Sequence, residues 1–574
     1  MNIIIDGHNC SAQPGEPVLK IATDNGIYIP HFCYHEDQEV EANCRACLVE
    51  VVNPGENSSV KAGEVVTSCT LIAAEGMEVN SHSAEATALR KTNIDLLLRQ
   101  HKFHCATCPR GMICAVMDSV IKDKANPKLH QELTDKFPIH PMAQAAELDP
   151  NVCIACNQCV KVCEEIGIGY LQLKGKGTDN RIAPTDDQKI DCIYCGQCTV
   201  HCPVAAAREQ YSITDVEAAI ADPNKVVIVQ MAPSVRVSIG ESFGFKPGTN
   251  LEKQLNTAFK QIGFDYVFDV NMGADITTIV EAEELVDRLT NNGVLPMFTS
   301  CCPGWVKFIE FYYPEMIPHM TTARSPQIHS GGAYKTWWAE KVGIDPKKIV
   351  VVSIMPCTSK KYEARHEKLK IDDMYPVDYV LTARETAALL KKHRIDLNTI
   401  VPTEIDTFGA YSGAAAIYGA SGGVMESALR TAAATIHGQD LEKIEFEQVR
   451  GMEGIKKATI TIDDKQVKVA VVATPKNARI ILEEIKQNPH AYDYIEFMAC
   501  PGGCIGGGGQ PVPSTKRIVK ERTAGLYQID NQSNLRLAHR NPVVQEYMEY
   551  CKKAGPERSH QLLHTHFSQK HRGE

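Results

Sequence analysis

Residues 213–574 carry two alternating patterns. Short, nearly unbroken apolar runs, KVVIVQ, VLPMF, KIVVVSIM, VKVAVVAT and YIEFM, read as buried strands, and the apolar positions between them recur at helical spacing, which predicts amphipathic helices and a large α/β domain. Several runs lead straight into Pro, Gly, Ser or Cys turns: MAPS after Gln230, TSCCPGW after Phe298, PCTSKK after Met355 and ACPGGC after Met498. In open α/β sheets the ligand crevice lies beyond the carboxyl ends of the strands, so these turns are expected to converge on one buried centre.

The pattern is different upstream. Residues 1 to about 80 read as short strands and turns (NIIIDGH, GEPVLKIATDNG, CRACLVEVVN, EVVTSCTLI, GMEVNS) around one helical stretch, a small α+β module. The segment AEATALRKTNIDLLLRQHKFHC turns helical from residue 84, and residues 145–212 hold two copies of one cysteine pattern separated by the polar stretch GKGTDNRIAPTDDQ. Such a duplication marks a module of its own. The expected organisation is multidomain, α/β and α+β, with units at 1–80, 81–125, 145–212 and 213–574.

Length and composition narrow the class. A chain of 574 residues, 44% apolar and 23% charged, is long enough for several cores and excludes a disordered, collagen-like or coiled-coil protein. A net charge of −10 has the wrong sign for a general nucleic-acid binder. The N-terminus lacks a basic region and cleavage site, and no apolar stretch approaches 18 residues, so neither export nor a membrane span is expected and a cytoplasmic setting is predicted. Of 22 cysteines, 16 fall within residues 1–202; without an export signal and with C-x2-C spacing, they read as metal or cluster ligands rather than disulfides.

Four cysteine sets carry the chemistry. Cys33, Cys44, Cys47 and Cys69 have the form of a 2Fe-2S site, zinc being the alternative, and the module resembles plant-type ferredoxin. Cys153, Cys156, Cys159 and Cys163, then Cys192, Cys195, Cys198 and Cys202-Pro203, repeat the bacterial ferredoxin pattern for two 4Fe-4S clusters. In that pattern the fourth cysteine of each run serves the other cluster, pairing Cys202 with the first three and Cys163 with the second three. Cys105, Cys108 and Cys114 lack a fourth ligand; spacing leaves His101 and His104 equally placed to supply it, and a three-cysteine zinc site is the alternative. Cys302, Cys357, Cys500 and Cys504 come from three strand-end turns and fit a further 4Fe-4S cube, the last two within a glycine-rich loop whose N–H groups can approach an anionic centre.

TSCCPGW (299–305), MPCTSKKYE (355–363) and FMACPGGCIGGGGQP (497–511) resemble the three signature segments of iron-iron hydrogenases. With the ferredoxin-like array the resemblance covers essentially the whole chain and is to the monomeric clostridial type with four accessory clusters. It implies a large two-lobed catalytic domain that interconverts hydrogen with protons and electrons. Cys302, Cys357, Cys500 and Cys504 would hold the 4Fe-4S part of the H-cluster, with Cys504 bridging to a two-iron unit bearing CO, cyanide and a dithiolate. Lys360 would contact one cyanide and Pro233 with Ser234 the other, while Gln327, Met355, Gly419 and Met498 line the diiron pocket. The family's H-x3-C spacing selects His101 over His104 for the third accessory cluster.

The resemblance also implies a proton route through Cys301, Glu281, Thr321 and Glu284, with Glu283 and Asp287 on the solvated face of the same helix. Thr321 stands where the family has serine, and Tyr418 where close relatives often have phenylalanine. The implied partners are ferredoxin or flavodoxin, docking at a basic patch for which Lys102, Arg110, Lys122 and Lys124 are candidates, and maturation enzymes that supply the diiron unit. No membrane or nucleic-acid partner is expected, and the chain should act as a monomer. The rivals are a hydrogen-activating subunit of an NAD(P)-linked complex and a non-catalytic iron-sulfur sensor or assembly protein. IGGGGQ lacks the context of a nucleotide fingerprint, which argues against NAD(P) binding by this chain but not by a partner, and the presence of all the relay residues and Lys360 disfavours the non-catalytic reading. Cys10 and Cys551 are left as structural thiols.

Overall fold

The β-branched runs of the C-terminal half build two separate four-stranded sheets. In the first, Tyr266–Asp269, Val226–Met231, Ile349–Met355 and Tyr379–Thr382 lie side by side in that order, all parallel. Every residue of Ile349–Met355 is buried, as expected for a central parallel strand covered on both faces. The second sheet runs Met297–Phe298, Tyr494–Met498, Lys465–Ala473 and Ile455–Ile462; its first three strands are parallel and the last is antiparallel. The computed structural model describes residues 1–574 except 106, 107, 112, 113, 123–135, 442, 463 and 464.

The helix Val270–Thr290 is capped by the Asp269 carboxylate, which accepts from the Asn271 amide. Its first thirteen residues are all buried, and it packs on the helices Pro326–Ala333 and Gly423–His437. Gly273 makes that packing possible, since a Cβ there would collide with the Pro326 carbonyl. The carboxyl ends of Val226–Met231, Met297–Phe298, Ile349–Met355 and Tyr494–Met498 feed one cavity, so the expected convergence of the strand-end turns is observed. It joins turns from both sheets.

The N-terminal module is a five-stranded sheet in the order His8–Ser11, Asn2–Ile5, Glu78–Asn80, Leu48–Asn53 and Val65–Thr67. Its helix is Val18–Asp24, inside the GEPVLKIATDNG segment. The following helical stretch stops at Leu98, well short of the cysteines; a second helix occupies Ala115–Lys122. Between the two cysteine runs, the polar separator contributes a strand, Arg181–Pro184, that pairs with Leu171–Lys174.

The duplication of the cysteine runs extends to the backbone. Each run opens a short helix, Gln158–Glu165 or Gln197–His201, and the equivalent N-caps Asn157 and Gly196 both adopt left-handed backbone, with φ of 70° and 71°. Ala155 and Tyr194, also equivalent, have φ of 51° and 60°. Their amides donate to the Cys153 and Cys192 sulfurs at 3.3 Å. One buried apolar cluster runs from Phe32 and Cys33 through both cysteine runs to Met498 and Cys500. Among the described residues no helix is long and apolar enough to cross a membrane.

Candidate active site

The cavity at the strand ends contains about 720 Å³ of atom-free space. Its wall includes every residue expected there: Cys302, Cys357, Cys500 and Cys504, with Cys301, Lys360, Pro233, Ser234, Gln327, Met355, Gly419 and Met498. Burial pushes all four candidate ligand thiols up. Unless metal or a cationic neighbour takes up the charge, four such thiolates are costly in one apolar pocket.

Two polar atoms in the wall are unpartnered, Ser234 Oγ and Gln327 Oε1. Buried polar groups are ordinarily satisfied, so the Ser234 hydroxyl, which can donate, and the Gln327 oxygen, which only accepts, are left for a bound group, and with the thiols and an ammonium they fit an iron centre carrying polar ligands. Lys360 Nζ donates to the Cys301 carbonyl at 3.0 Å and to Glu363 at 2.8 Å. Burial pulls its pKa down, but Glu363 and the thiols Cys301 and Cys357 outweigh that and raise it, so the charge is retained. Glu363 also accepts from Gln327 Nε2 at 2.6 Å. That buried carboxylate orients both Lys360 and Gln327 and was missed by motif reasoning; its i,i+3 spacing from Lys360 was the available signal.

Cys301 lies in the wall beside Cys302. Burial, then the charges of Glu281 and the neighbouring thiols, raise its pKa well above the ordinary thiol value, although Lys360 opposes them. Glu281 is fully buried on Val270–Thr290, and burial followed by the Glu284 charge pushes its carboxyl well up, favouring the neutral acid. Tyr494 is close enough to favour the Glu281 carboxylate, yet neither carboxylate oxygen nor the Tyr494 hydroxyl has a partner at hydrogen-bond geometry. One turn on, Glu284 Oε2 accepts from Thr321 Oγ1 at 2.7 Å. The threonine methyl therefore leaves the hydroxyl contact intact. Glu283 and Asp287 face solvent. Tyr418 reaches the cavity wall, and its hydroxyl is paired with Thr278 Oγ1 at 2.8 Å, which is itself 2.8 Å from Ser427 Oγ.

The accessory cysteines gather as spacing predicted. Cys33 and Cys44 sulfurs lie 3.3 Å apart, Cys47 interacts with Cys69, and Cys69 feels Cys33 and Cys44. Cys202 is near enough to act on Cys153, Cys156 and Cys159, and Cys163 on Cys192, Cys195 and Cys198, the last of which also feels Cys202, so each fourth cysteine sits beside the other run. His101, His104, Cys105, Cys108 and Cys114 line one small cavity. His101 is buried, with Nδ1 2.7 Å from the Val152 carbonyl. A carbonyl only accepts, so Nδ1 carries the proton and Nε2 the lone pair, the arrangement of a ligating imidazole held by a backbone partner. Among the described residues no three His, Cys, Asp or Glu side chains are gathered as for a single metal ion.

The basic patch requires a correction. The Arg110 guanidinium is buried, donating to the Cys202 carbonyl at 3.0 Å and the Thr199 carbonyl at 2.6 Å, so it ties two modules together and cannot meet a partner. Lys102 is half-buried and Lys122 exposed, the latter with its ammonium 3.8 Å from the Tyr28 ring centre. Lys124 lies outside the described residues.

Contacts between the duplicated module and the cavity loop were also invisible to motif reasoning. A Cβ on Gly508 would collide with the Cys195 carbonyl and Gly196. Thr199 Oγ1 donates to the Gly508 carbonyl at 2.7 Å and Gln197 to the Gly506 carbonyl at 2.8 Å. Arg384, paired with Glu209, donates to the same Gly508 carbonyl at 2.7 Å. The loop bearing Cys500 and Cys504 is thereby fixed against the loop bearing Cys195.

Comparison with known proteins accords with this geometry. Residues 225–508 match the family described as iron only hydrogenase large subunit, C-terminal domain; residues 516–570 match iron hydrogenase small subunit, and residues 1–84 a 2Fe-2S iron-sulfur cluster binding domain. The chain is 39% identical to iron hydrogenase 1 of Clostridium pasteurianum, covering 98% of this chain and 99% of that one. It is 37% identical to the NADP-reducing hydrogenase subunit HndD of Solidesulfovibrio fructosivorans, covering 100% and 99%. Among solved structures, an apo FeFe-hydrogenase HydA1 from Chlamydomonas reinhardtii aligns with a TM-score of 0.56 at 38% identity, covering 62% of this chain and 99% of that one. The chain belongs to the iron-only (FeFe) hydrogenase family and is an enzyme that activates hydrogen at an H-cluster, with electrons passing through iron-sulfur clusters.

Proposed function

We propose that the cavity residues divide the work as follows. Cys302, Cys357, Cys500 and Cys504 hold the cube, and Cys504 also holds the diiron unit. Bound there, the H-cluster supplies the reversible interconversion of hydrogen with two protons and two electrons. Lys360, kept charged by Glu363, and the unpartnered Ser234 hydroxyl beside Pro233 stabilise negative charge on its diatomic ligands. Met355, Met498 and Gly419 keep the pocket apolar and exclude bulk water. Cys301 exchanges a proton with the cavity, Glu281 receives it, and ordered water at the two orphaned Glu281 oxygens joins it to the Thr321–Glu284 pair. The observation that carries this reading is the order of these groups: a thiol in the wall, a buried unpartnered carboxyl, and a hydroxyl–carboxylate pair one turn further out.

The accessory sets are one 2Fe-2S cluster on Cys33, Cys44, Cys47 and Cys69, and three 4Fe-4S clusters, one of them on His101, Cys105, Cys108 and Cys114. Together with the H-cluster these amount to about 20 irons per chain. The glycine contact between Gly508 and Cys195 supports electron passage from the duplicated module to the cavity. Ferredoxin or flavodoxin is the electron partner, meeting the protein near Lys102 and Lys122 in a cytoplasmic, anaerobic setting, and the chain works as a monomer once maturation enzymes have inserted the diiron unit. Full-length likeness to HndD supports a second reading, in which a partner chain links these electrons to a nicotinamide nucleotide. Reduced ferredoxin supporting hydrogen release from the isolated, fully loaded chain favours the first reading. Release only when NAD(P)H and a partner subunit are both added favours the second.

A further inference from the structure

We propose that His564 is the outer proton acceptor of this enzyme, receiving protons from Glu284 through the hydroxyl of Thr322. The proposal rests on the relay reading above, which ends at Glu284. Each contact of that carboxylate narrows the ways out. Oε1 is held by Arg288 Nη2 at 2.5 Å, and a guanidinium cannot be deprotonated in a protein. Oε2 accepts from Thr321 Oγ1, which leads back toward the cavity, from the Thr322 amide at 2.9 Å, and from Thr322 Oγ1 at 3.1 Å. Of these, only the Thr322 hydroxyl both gives and takes a proton and faces away from the relay.

Thr322 Oγ1 is also 2.8 Å from His564 Nδ1. His564 ends the helix Pro556–Leu563, and its backbone is fixed on the same segment. Arg324 Nε donates to its carbonyl at 2.9 Å, and the Thr565 amide donates to the Thr322 carbonyl at 2.7 Å. The ring is half-buried and stacks on the exposed His560, centroids 5.1 Å apart. A half-buried carboxylate, a hydroxyl, a half-buried imidazole and an exposed imidazole thus form a series leading to water.

The proton bookkeeping is simple. Glu284, as the acid, gives its proton to Thr322 Oγ1 while that hydroxyl gives its own to His564 Nδ1; the imidazolium then releases the Nε2 proton to solvent or His560. Only protons move, and no atom changes oxidation state. Hydrogen production runs the series inward. The charged groups around the ring are His560 on its own helix, Arg324 on the 321–324 segment, and Glu284 with its partner Arg288 on Val270–Thr290. Burial, His560 and Arg324 lower the His564 pKa while Glu284 raises it, so the imidazole holds a proton briefly rather than trapping it.

The test uses full-length, diiron-loaded protein. His564→Ala and Thr322→Val should lower hydrogen turnover about 10-fold, less than the ~10²-fold or more lost with a positioned acid–base group itself, because Glu284 keeps slight contact with solvent. Both should change the pH profile, iron content should be normal, and added imidazole should restore His564→Ala. In ¹⁵N-histidine-labelled protein lacking the diiron unit, Glu284→Gln should lower the His564 titration midpoint, because it removes the carboxylate that raises it. His566→Gln, on the exposed neighbouring histidine, should behave as the parent. If Glu284→Gln is inactive while His564→Ala keeps full turnover and an unchanged pH profile, this exit is wrong and the relay stands. If Glu284→Gln is fully active, the relay fails and the exit with it. Loss in His564→Ala that imidazole does not restore would mark a structural role and overturn the proposal.

Discussion

Replacing Cys301 by alanine separates proton transfer from cluster binding at two adjacent cysteines. The Lys360 ammonium donates to the Cys301 backbone carbonyl, not its thiol, so Cys301→Ala leaves that contact in place. The structural cost is one buried sulfur, about 1 kcal/mol by area, too little to unfold a chain with cores of this size. The catalytic cost is larger: losing a positioned acid–base group removes about 10²–10⁴-fold in rate, or roughly 3–5 kcal/mol of barrier. Hydrogen evolution from reduced methyl viologen should therefore fall at least 100-fold, while iron content and melting temperature change little. Cys302→Ala should instead lose iron. Turnover near the parental rate in Cys301→Ala, or loss of iron in that variant, would mean that relay and ligand have been exchanged.

Glu281→Gln should match Cys301→Ala in turnover, while Glu283→Gln, on the solvated face, should be silent in the same assay. Lys360→Met removes the ammonium that pairs with the buried Glu363 carboxylate and leaves it with the Gln327 amide, so it should destabilise the protein by about 3 kcal/mol or more in denaturant titration and lower diiron retention. Gly508→Ala forces a Cβ into the Cys195 carbonyl, which should slow electron delivery from external donors more than hydrogen–deuterium exchange, a reaction that needs no external electrons. His329, between Thr277 Oγ1 at 2.8 Å and the Leu563 carbonyl at 3.0 Å, is pulled down to about 3 by burial. Its folded pKa is depressed, so its stabilising contribution is complete above about pH 6.5 and is lost toward pH 3. The melting-temperature gap between parent and His329→Gln should narrow over that interval.

The strand-end turns and cysteine sets were legible because both are local: a run of β-branched residues ending in Pro or Cys announces itself, and cluster spacing is set within one loop. The division of the strands into two sheets was not, because pairing Met297–Phe298 with Tyr494–Met498 spans nearly two hundred residues and a two-residue strand carries little pattern. Arg110 was misread for a related reason. Beside a cysteine motif it looks like a surface cation, and its burial depends on carbonyls of Thr199 and Cys202 that only the fold brings near. Glu363 was within reach of spacing arguments, whereas Thr322 and His564 were not, since their meeting joins positions 242 apart in sequence.

Hydrogen release tests the central claim most directly. Protein produced without maturation enzymes, reconstituted anaerobically with iron and sulfide and supplied with reduced viologen, should evolve no hydrogen, then become active when a synthetic diiron complex bearing CO, cyanide and an azadithiolate bridge is added, with Cys504→Ala remaining inactive. Full activity before the complex is added, or none afterwards in protein with a full complement of cubes, would contradict the account.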